Sequence, residues 1–300
     1  MFLEATTIFN NKDTRRLARL ISLVENEVEG YINFLEQLSF NKTAKIIGIT
    51  GPPGAGKSTL TDGLIAQIIA DKKKVAVLCV DPSSPFNLGA VLGDRIRMSQ
   101  WYNNPNVYIR SLATRGSLGG LHPKIIEITD VLCNAWFNYV IVETVGVGQS
   151  EIEIAGLADV TAVVLVPEAG DEIQTMKAGL MEIANIFIVN KADRPGAEIF
   201  TKNLKQMLAP SFNNTSEIPI LKTAAHKNDG VKQAWDAIKT LANNNQINQR
   251  KAWLLTHKAM QLIAQHYTKN INKDSLKQKI LTNLQQGNNN LYQIIKPYLS

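Results

Sequence analysis

The 300-residue sequence predicts an α/β fold with a mainly parallel β-sheet and helices on both of its faces. Two observations predict this class. Short apolar runs alternate with segments of helical spacing from residue 45 to residue 241, which is typical of parallel strands joined by crossover helices. A glycine-rich turn at residues 51–56 joins the first apolar run to the first helical segment. Ligands of such sheets bind at the carboxyl ends of the strands, so the residues that follow each run are the candidates for a site.

Seven apolar, often β-branched runs predict the strands of this sheet. They lie at residues 45–50, 75–81, 107–112, 139–145, 161–167, 186–190 and 218–223. Helical spacing follows most of them, at residues 57–70, 122–137, 171–184, 196–208 and 230–242.

Helical segments flank this α/β region on both sides. Apolar residues recur every three or four positions between residues 12 and 40, which predicts one or two amphipathic helices. An asparagine-rich linker near residue 245 precedes two further apolar stripes. We therefore expect an N-terminal helical extension at 1–42, an α/β domain at 43–242 and a C-terminal helical arm at 243–300. Exposed apolar stripes are unfavourable in a monomer, so the arm either folds back on the core or, as we favour, forms a dimer contact.

The composition limits the class of ligand and the cellular location. The formal net charge is +6 and the basic residues are dispersed, which suits an anionic small molecule better than a nucleic acid. No apolar run reaches the roughly 18 residues that a membrane span needs, and the N-terminus lacks a secretory signal. Cys79 and Cys133 lie in apolar runs and are expected to be free, buried thiols. We expect a cytoplasmic protein that binds neither nucleic acid nor membrane.

A complete phosphate-binding motif, Gly-x-x-x-x-Gly-Lys-Ser, lies between the first predicted strand and the first predicted helix. Its glycines permit a tight turn whose N–H groups face one anion, and the helix adds the positive end of its dipole. Lys57 is expected to reach the terminal phosphates, and the Ser58 hydroxyl to hold Mg²⁺. The predicted nucleotide-binding residues of this motif are Gly51, Pro52, Pro53, Gly54, Ala55, Gly56, Lys57, Ser58 and Thr59.

The tetrapeptide Asn190-Lys191-Ala192-Asp193, directly after the apolar residues 186–189 of the sixth predicted strand, indicates recognition of guanine. Guanine presents a ring N–H beside an exocyclic amine, and one carboxylate, that of Asp193, can accept both hydrogen bonds. Asn190 can hold the loop together and meet the base edge, while the Lys191 stem can cover the ring face. In Thr223-Ala224-Ala225, after the last strand, a backbone N–H could meet the guanine oxygen.

Hydrolysis of a bound triphosphate needs carboxylates near the γ-phosphate, and three are candidates. Asp81 and Glu143 each follow an apolar run, where either could hold Mg²⁺ directly or through water. Asp94 lies between two predicted strands and could position metal or water. The four histidines have no metal-ligand spacing. The predicted catalytic residues are Lys57, Asp81, Asp94 and Glu143, and the predicted metal ligands are Ser58, Asp81, Asp94 and Glu143.

Together, these and further stretches resemble the MeaB/ArgK family of P-loop GTPases, the methylmalonyl-CoA mutase-associated GTPases. The resemblance runs from about residue 15 to about residue 242. Besides the phosphate-binding and base-reading motifs, it is carried by DPSSP at 81–85, LGDRIRM at 92–98, TRGSLGGL at 114–121 and ETVGVGQSE at 143–151.

The resemblance implies a SIMIBI-like P-loop NTPase domain in a cytoplasmic homodimer that hydrolyses GTP slowly with Mg²⁺ and dimerises through its C-terminal helices. The implied role is to gate loading of adenosylcobalamin onto methylmalonyl-CoA mutase and to protect that enzyme from inactivation. The family role matches onto Lys57, Asp81, Asp94 and Glu143 as phosphate, metal and water residues. Two alternatives stay open: a kinase of a periplasmic amino-acid-binding protein, an older label of the family, and a nucleotide-gated chaperone that delivers a metal.

Overall fold

The computed structural model describes residues 2–38, 44–81, 98–114, 121–146, 151–169, 180–208, 218–243, 249–287 and 290–298. The strands in these ranges are β1 (Lys45–Thr50), β2 (Val75–Asp81), β3 (Val107–Ala113), β4 (Tyr139–Glu143), β5 (Val160–Leu165), β6 (Ile186–Val189) and β7 (Ile220–Lys222). The α-helices are α1 (Ala5–Asn10), α2 (Thr14–Glu25), α3 (Tyr31–Glu36), α4 (Lys57–Ala70), α5 (Ile125–Asn134), α6 (Glu151–Leu157), α7 (Leu180–Ile183), α8 (Ala197–Leu208), α9 (Val231–Ala242), α10 (Gln249–Thr268), α11 (Lys273–Gln285) and α12 (Leu291–Ile295).

These seven strands form one sheet in the order β3-β2-β4-β1-β5-β6-β7. Every neighbouring pair is parallel, which confirms the α/β class and the mainly parallel sheet. The carboxyl ends of the strands therefore meet at one edge of the sheet. In the centre, Ile49 of β1 lies opposite Glu143 of β4, so the end of β4 lies beside the chain that leaves β1.

Helices cover both faces of this sheet, as the sequence predicts. The alternation of side chains along a strand is visible in β5, where Val164 joins one core cluster and Val163 joins the other. On the first face, α4 and α9 pack a core that includes the fully buried Trp235. On the second face, α8 contributes Phe200 to a core that also contains Phe187 of β6.

The N-terminal amphipathic pattern is confirmed in α2, which packs against α5. The Arg110 guanidinium of β3 donates hydrogen bonds to the Ala18 carbonyl oxygen, to the Ser22 hydroxyl and to the Glu25 carboxylate, and so joins α2 to the sheet. The predicted apolar stripe extends further along the chain than the buried one does. Because α2 ends at Glu25, Val28 lies in the following turn with 42% of its surface exposed.

Several element boundaries differ from the sequence-based ones. The helix expected at 122–137 is shorter, since it begins at Ile125 after Pro123 and ends before Ala135, whose backbone is extended. The sequence pattern does not predict α1 or α6, which are only six and seven residues long. Such short helices carry too few periodic positions to stand out from a loop.

The chain divides into two compact units, residues 1–251 and 252–300. The second unit contains α11 and α12, which begin at asparagine caps: Asn272 accepts a hydrogen bond from the Ser275 N–H, and Asn290 accepts one from the Gln293 N–H. It also carries exposed apolar side chains, among them Trp253, Met260 and Tyr267. Within the described ranges, none of the helices has both the length and the hydropathy that a membrane span requires.

Candidate nucleotide-binding site

The phosphate-binding turn lies between β1 and α4, and Lys57 and Ser58 are the first two residues of α4. Gly56, just before the helix, has a left-handed backbone with φ of 83°. A Cβ atom at this position would collide with the Asn190 amide nitrogen, so only glycine fits. The positive end of the helix dipole points into the same turn, which favours an anion there.

The Lys57 ammonium group is buried in this turn. It donates hydrogen bonds to the carbonyl oxygens of Gly51, at 2.9 Å, and Pro52, at 3.1 Å. Gly146, in the loop after β4, has φ of 89°, and a Cβ atom there would lie only 2.7 Å from Lys57 Nζ. The loop after β4 therefore contacts the phosphate-binding turn at its lysine.

Two acidic side chains at strand ends are buried beside this turn. Glu143, at the end of β4, accepts a hydrogen bond from the Ser58 hydroxyl on Oε1, at 2.7 Å, and one from the Thr61 hydroxyl on Oε2, at 2.8 Å. Asp81, at the end of β2, is 4% exposed. The structure thus brings Ser58, Asp81 and Glu143 together at one edge of the sheet.

A cavity of about 500 Å³ opens over the turn. Its walls are formed by Pro53, Gly54, Gly56, Lys57, Ser58, Thr59, Val80, Asp81, Glu143, Thr144, Val145 and Lys191. The Ser58 hydroxyl and the carboxylates of Asp81 and Glu143 supply oxygen donors on one side of this cavity, which is the donor set that Mg²⁺ prefers. The residues present therefore fit Mg²⁺ bound together with a triphosphate.

Asn190 joins the phosphate-binding turn to the loops that follow β6 and β7. Its amide nitrogen donates to the Ala55 carbonyl oxygen at 2.9 Å. Its side-chain oxygen accepts from the Thr223 hydroxyl at 3.0 Å and from the Ala225 N–H at 3.1 Å. This residue is 2% exposed, and its side chain makes three hydrogen bonds to two other chain segments, the phosphate-binding turn and the turn after β7.

The turn after β7 differs from expectation in one respect. Each of its three N–H groups donates within the protein: Thr223 to the Val189 carbonyl, Ala224 to the Asp229 carbonyl and Ala225 to Asn190. A guanine oxygen that bound here would have to share one of these donors. The predicted backbone contact to the base is therefore not preformed.

A second cavity of about 360 Å³ shares Gly56, Thr59 and Lys191 with the first. It is lined by Gly56, Thr59, Asn190, Lys191, Asp193, Arg194 and His226. The Lys191 ammonium donates to the Gly54 carbonyl oxygen at 2.7 Å, so its stem crosses between the two cavities.

Asp193, the predicted base reader, faces Lys227 and His226 from the turn after β7. Lys227 Nζ lies 2.8 Å and His226 Nε2 lies 3.4 Å from Asp193 Oδ2. The hydrogen bond from Lys227 lowers the pKa of the Asp193 carboxyl below its ordinary value. The carboxylate form, which guanine recognition needs, is therefore favoured at neutral pH.

One predicted residue cannot be placed in this arrangement, because Asp94 lies outside the described residues. Conversely, the sequence did not predict that Thr61, His226 and Lys227 contact residues of the site. The signal for Thr61 was a hydroxyl residue one helical turn after Ser58. The signal for His226 and Lys227 was their position directly after the predicted Ala225.

A phosphate-binding turn between the central strand and its helix, with carboxylates at the ends of β4 and β2, the next two strands on one side of β1, defines a P-loop nucleotide-binding protein. Residues 17–284 match the family described as methylmalonyl Co-A mutase-associated GTPase MeaB. The chain belongs to this family and is a GTPase, which confirms the resemblance drawn from the motifs.

Individual relatives agree with this assignment. A Pyrococcus abyssi protein that carries the name of a GTPase is 47% identical over 232 residues, which is 76% of this chain and 72% of the relative. The fused isobutyryl-CoA mutase of Geobacillus kaustophilus is 37% identical over 228 residues, 71% of this chain but only 21% of that protein. Among solved structures, a LAO/AO transport system kinase has a TM-score of 0.67 at 22% identity, covering 99% of this chain and 96% of the other, and so shares the fold.

Proposed function

We propose that this chain binds GTP with Mg²⁺ and that hydrolysis of the GTP switches its interaction with an adenosylcobalamin-dependent mutase. The contact between the Ser58 hydroxyl and Glu143 carries this proposal. It joins a residue of the phosphate-binding turn to the end of β4, and the chain leads from there to Gly146 beside Lys57. A ligand at Ser58 would alter the contacts of Glu143, and the loop after β4 would respond.

Each residue of the phosphate site has a role in this proposal. Lys57 exchanges its two carbonyl acceptors for oxygens of the terminal phosphates, because charged acceptors form stronger hydrogen bonds. Ser58, Asp81, Asp94 and Glu143 hold the metal or order the attacking water. Mg²⁺, when bound, supplies positive charge that stabilises charge on the phosphate oxygens. The chain itself contributes positioning and fixed electrostatics rather than covalent chemistry.

The family description and the fused relative support the choice of partner. The family is described as associated with methylmalonyl-CoA mutase, and one relative is a fused isobutyryl-CoA mutase. We propose that the GTP state of this chain gates loading of adenosylcobalamin onto such a mutase and protects the mutase from inactivation. The acting form is a cytoplasmic homodimer in which residues 243–300 form the dimerisation arm. The exposed apolar side chains of the second compact unit support that arm.

GTP turnover tests the assignment of the phosphate site. Lys57→Ala should lower the rate of phosphate release by about 10² or more, the loss found when one donor to a developing anion is removed. Lys72→Ala is the matched control, because Lys72 is an exposed lysine just after α4. Equal turnover in Lys57→Ala and Lys72→Ala would contradict the assignment.

Base preference tests the role of Asp193. Asp193→Asn should weaken GTP and improve xanthosine triphosphate, because the amide can donate to the extra carbonyl oxygen of xanthine. Asp236→Asn, an exposed aspartate of α9, serves as the control. If calorimetry gives the same ratio of GTP affinity to xanthosine triphosphate affinity before and after the Asp193→Asn substitution, Asp193 does not recognise the base.

Retention of a purified adenosylcobalamin-dependent mutase tests the partner. The immobilised chain, loaded with GDP or with a non-hydrolysable GTP analogue, should retain the mutase to different extents. The rate of cobalamin loading should then depend on the nucleotide in the same mixture. If the chain retains no mutase in either nucleotide state, the GTPase assignment stands, but the proposed partner is wrong.

A further inference from the structure

The Glu143 carboxylate is held by two hydroxyl groups from the same helix. Ser58 and Thr61 lie three residues apart in α4, on one side of the helix, and each donates to a different carboxylate oxygen, at 2.7 and 2.8 Å. The two residues are 85 and 82 positions away from Glu143 in the chain. The arrangement therefore depends on the strand order, which places the end of β4 beside the first turn of α4.

The Thr61 hydroxyl also has a hydrogen-bond acceptor within its own helix. Threonine in a helix commonly donates to the carbonyl oxygen four residues earlier, and the Lys57 carbonyl lies 3.0 Å from the Thr61 hydroxyl. The hydroxyl has a single proton, and Glu143 Oε2 lies nearer to the hydroxyl oxygen, at 2.8 Å, than the Lys57 carbonyl oxygen does. The carboxylate is therefore the stronger acceptor for that proton.

The two hydroxyls differ in their access to the ligand. Ser58 and Glu143 both line the cavity above the phosphate-binding turn. Thr61 has no exposed surface and faces the carboxylate from inside the protein. A ligand in the cavity can contact Ser58, whereas Thr61 does not line the cavity.

We propose that Thr61 is a positioning residue that keeps Glu143 oriented toward the cavity when the Ser58 hydroxyl turns to Mg²⁺. This inference rests on the proposed function, since it takes Ser58 as a metal ligand and Glu143 as a residue that holds metal or water. Removal of the Thr61 hydroxyl takes away the hydrogen bond to Glu143 Oε2 while the Ser58 hydroxyl is engaged by the metal. Its side chain then has more freedom to rotate, and Mg²⁺-dependent retention of nucleotide weakens.

The test compares hydroxyl removal at Thr61 with hydroxyl removal at a matched buried site. Thr61→Val keeps the branched shape and removes the donor, while Thr61→Ser keeps the donor. Thr129→Val is the control, because Thr129 is also fully buried in a helix and its hydroxyl donates to the Ile125 carbonyl oxygen four residues earlier. The readouts are the release rate of a fluorescent GDP as Mg²⁺ is titrated, and kcat and KM for GTP.

In Thr61→Val, the Mg²⁺ concentration that slows GDP release to a given rate should be about ten times higher than in the unmodified protein. This is the change expected for loss of one hydrogen bond to a carboxylate. It should lower kcat more than it changes KM. Thr61→Ser should restore both values, and Thr129→Val should leave them within about twofold of the unmodified protein. Thr61→Val in a Glu143→Gln background should add little, because the carboxylate that it positions is already gone.

The outcomes separate this inference from the proposed function. If the unmodified protein hydrolyses GTP and Thr61→Val matches Thr129→Val in Mg²⁺ dependence, the role of Thr61 is wrong and the GTPase site stands. If the unmodified protein and Lys57→Ala release phosphate equally slowly, the proposed site itself fails. Should Thr61→Val not fold, Thr61→Ala removes the same hydroxyl without a second methyl group beside the carboxylate, and the same criteria apply.

Discussion

Replacing Asn190 with alanine should destabilise the fold and abolish nucleotide binding together. The Asn190 side chain is 2% exposed, and its removal leaves the Ala55 carbonyl, the Thr223 hydroxyl and the Ala225 N–H without their hydrogen bonds to it. At about 1 kcal/mol for each bond, the free energy of unfolding should fall by about 3 kcal/mol. For a domain of this size, that loss corresponds to a Tm lower by about 6–12 °C.

Asn185 offers a matched control at the other end of β6. It precedes the strand as Asn190 follows it, and its side-chain oxygen accepts one hydrogen bond, from the Thr161 N–H at 2.8 Å. Asn185→Ala should therefore cost about 1 kcal/mol and leave GDP affinity unchanged. Urea unfolding and GDP titration on both variants make the comparison. If Asn190→Ala were no less stable than Asn185→Ala, or still bound GDP normally, the bridging role would be refuted.

Two further predictions concern charged groups. Lys227→Met should raise the pKa of Asp193, because the ammonium group that lowers this pKa is removed. In fluorescence titrations, the loss of GDP affinity on acidification should then begin at a higher pH than in the unmodified protein. If the pH at which affinity is lost does not change, Lys227 does not act on Asp193 in this way. Asp71→Ala removes the acceptor that lies 2.8 Å from the indole nitrogen of the buried Trp235. The substitution should lower the free energy of urea unfolding by about 1–3 kcal/mol at neutral pH. The control Asp236→Ala, at an exposed position, should lower it by less than about 0.5 kcal/mol. Hydrogen bonds from Lys239 and Trp235 lower the pKa of Asp71, so its stabilisation is present above the ordinary aspartate range and is lost as the pH falls through the lowered value; a difference between wild type and Asp71→Ala that widened in acid would be inconsistent with this.

The sequence predicts those parts of the site in which the backbone demands a particular residue. Gly56 must adopt a left-handed conformation against Asn190, so the glycine pattern of the phosphate-binding turn is visible without coordinates. The strand-end positions of Asp81 and Glu143 follow from the alternation of strands and helices. In these cases local sequence and tertiary structure require the same residue.

The remaining contacts depend on strand order, which no local pattern contains. Thr61 looks like any threonine in a helix until β4 is placed beside β1, and only then does its hydroxyl meet Glu143. Lys227 likewise meets Asp193 because β6 and β7 are neighbours and their carboxyl ends adjoin. Pairs of side chains separated by tens of residues are therefore the part of the site that a single sequence hides.

Adjacent residues of helix α4 make contacts with distant parts of the chain. Its first residues, Lys57 and Ser58, face the phosphate-binding turn, and Thr61 holds Glu143 one turn later. At the next position, the Asp62 carboxylate accepts hydrogen bonds from the side chains of Gln100 and Trp101, at 2.9 and 2.7 Å. Those two residues belong to the turn that begins just after residues 82–97, the segment that includes Asp94. A shift of α4 on nucleotide binding would therefore move the end of β4 and the side chains of Gln100 and Trp101 together, because both contacts are made by adjacent residues of one helix.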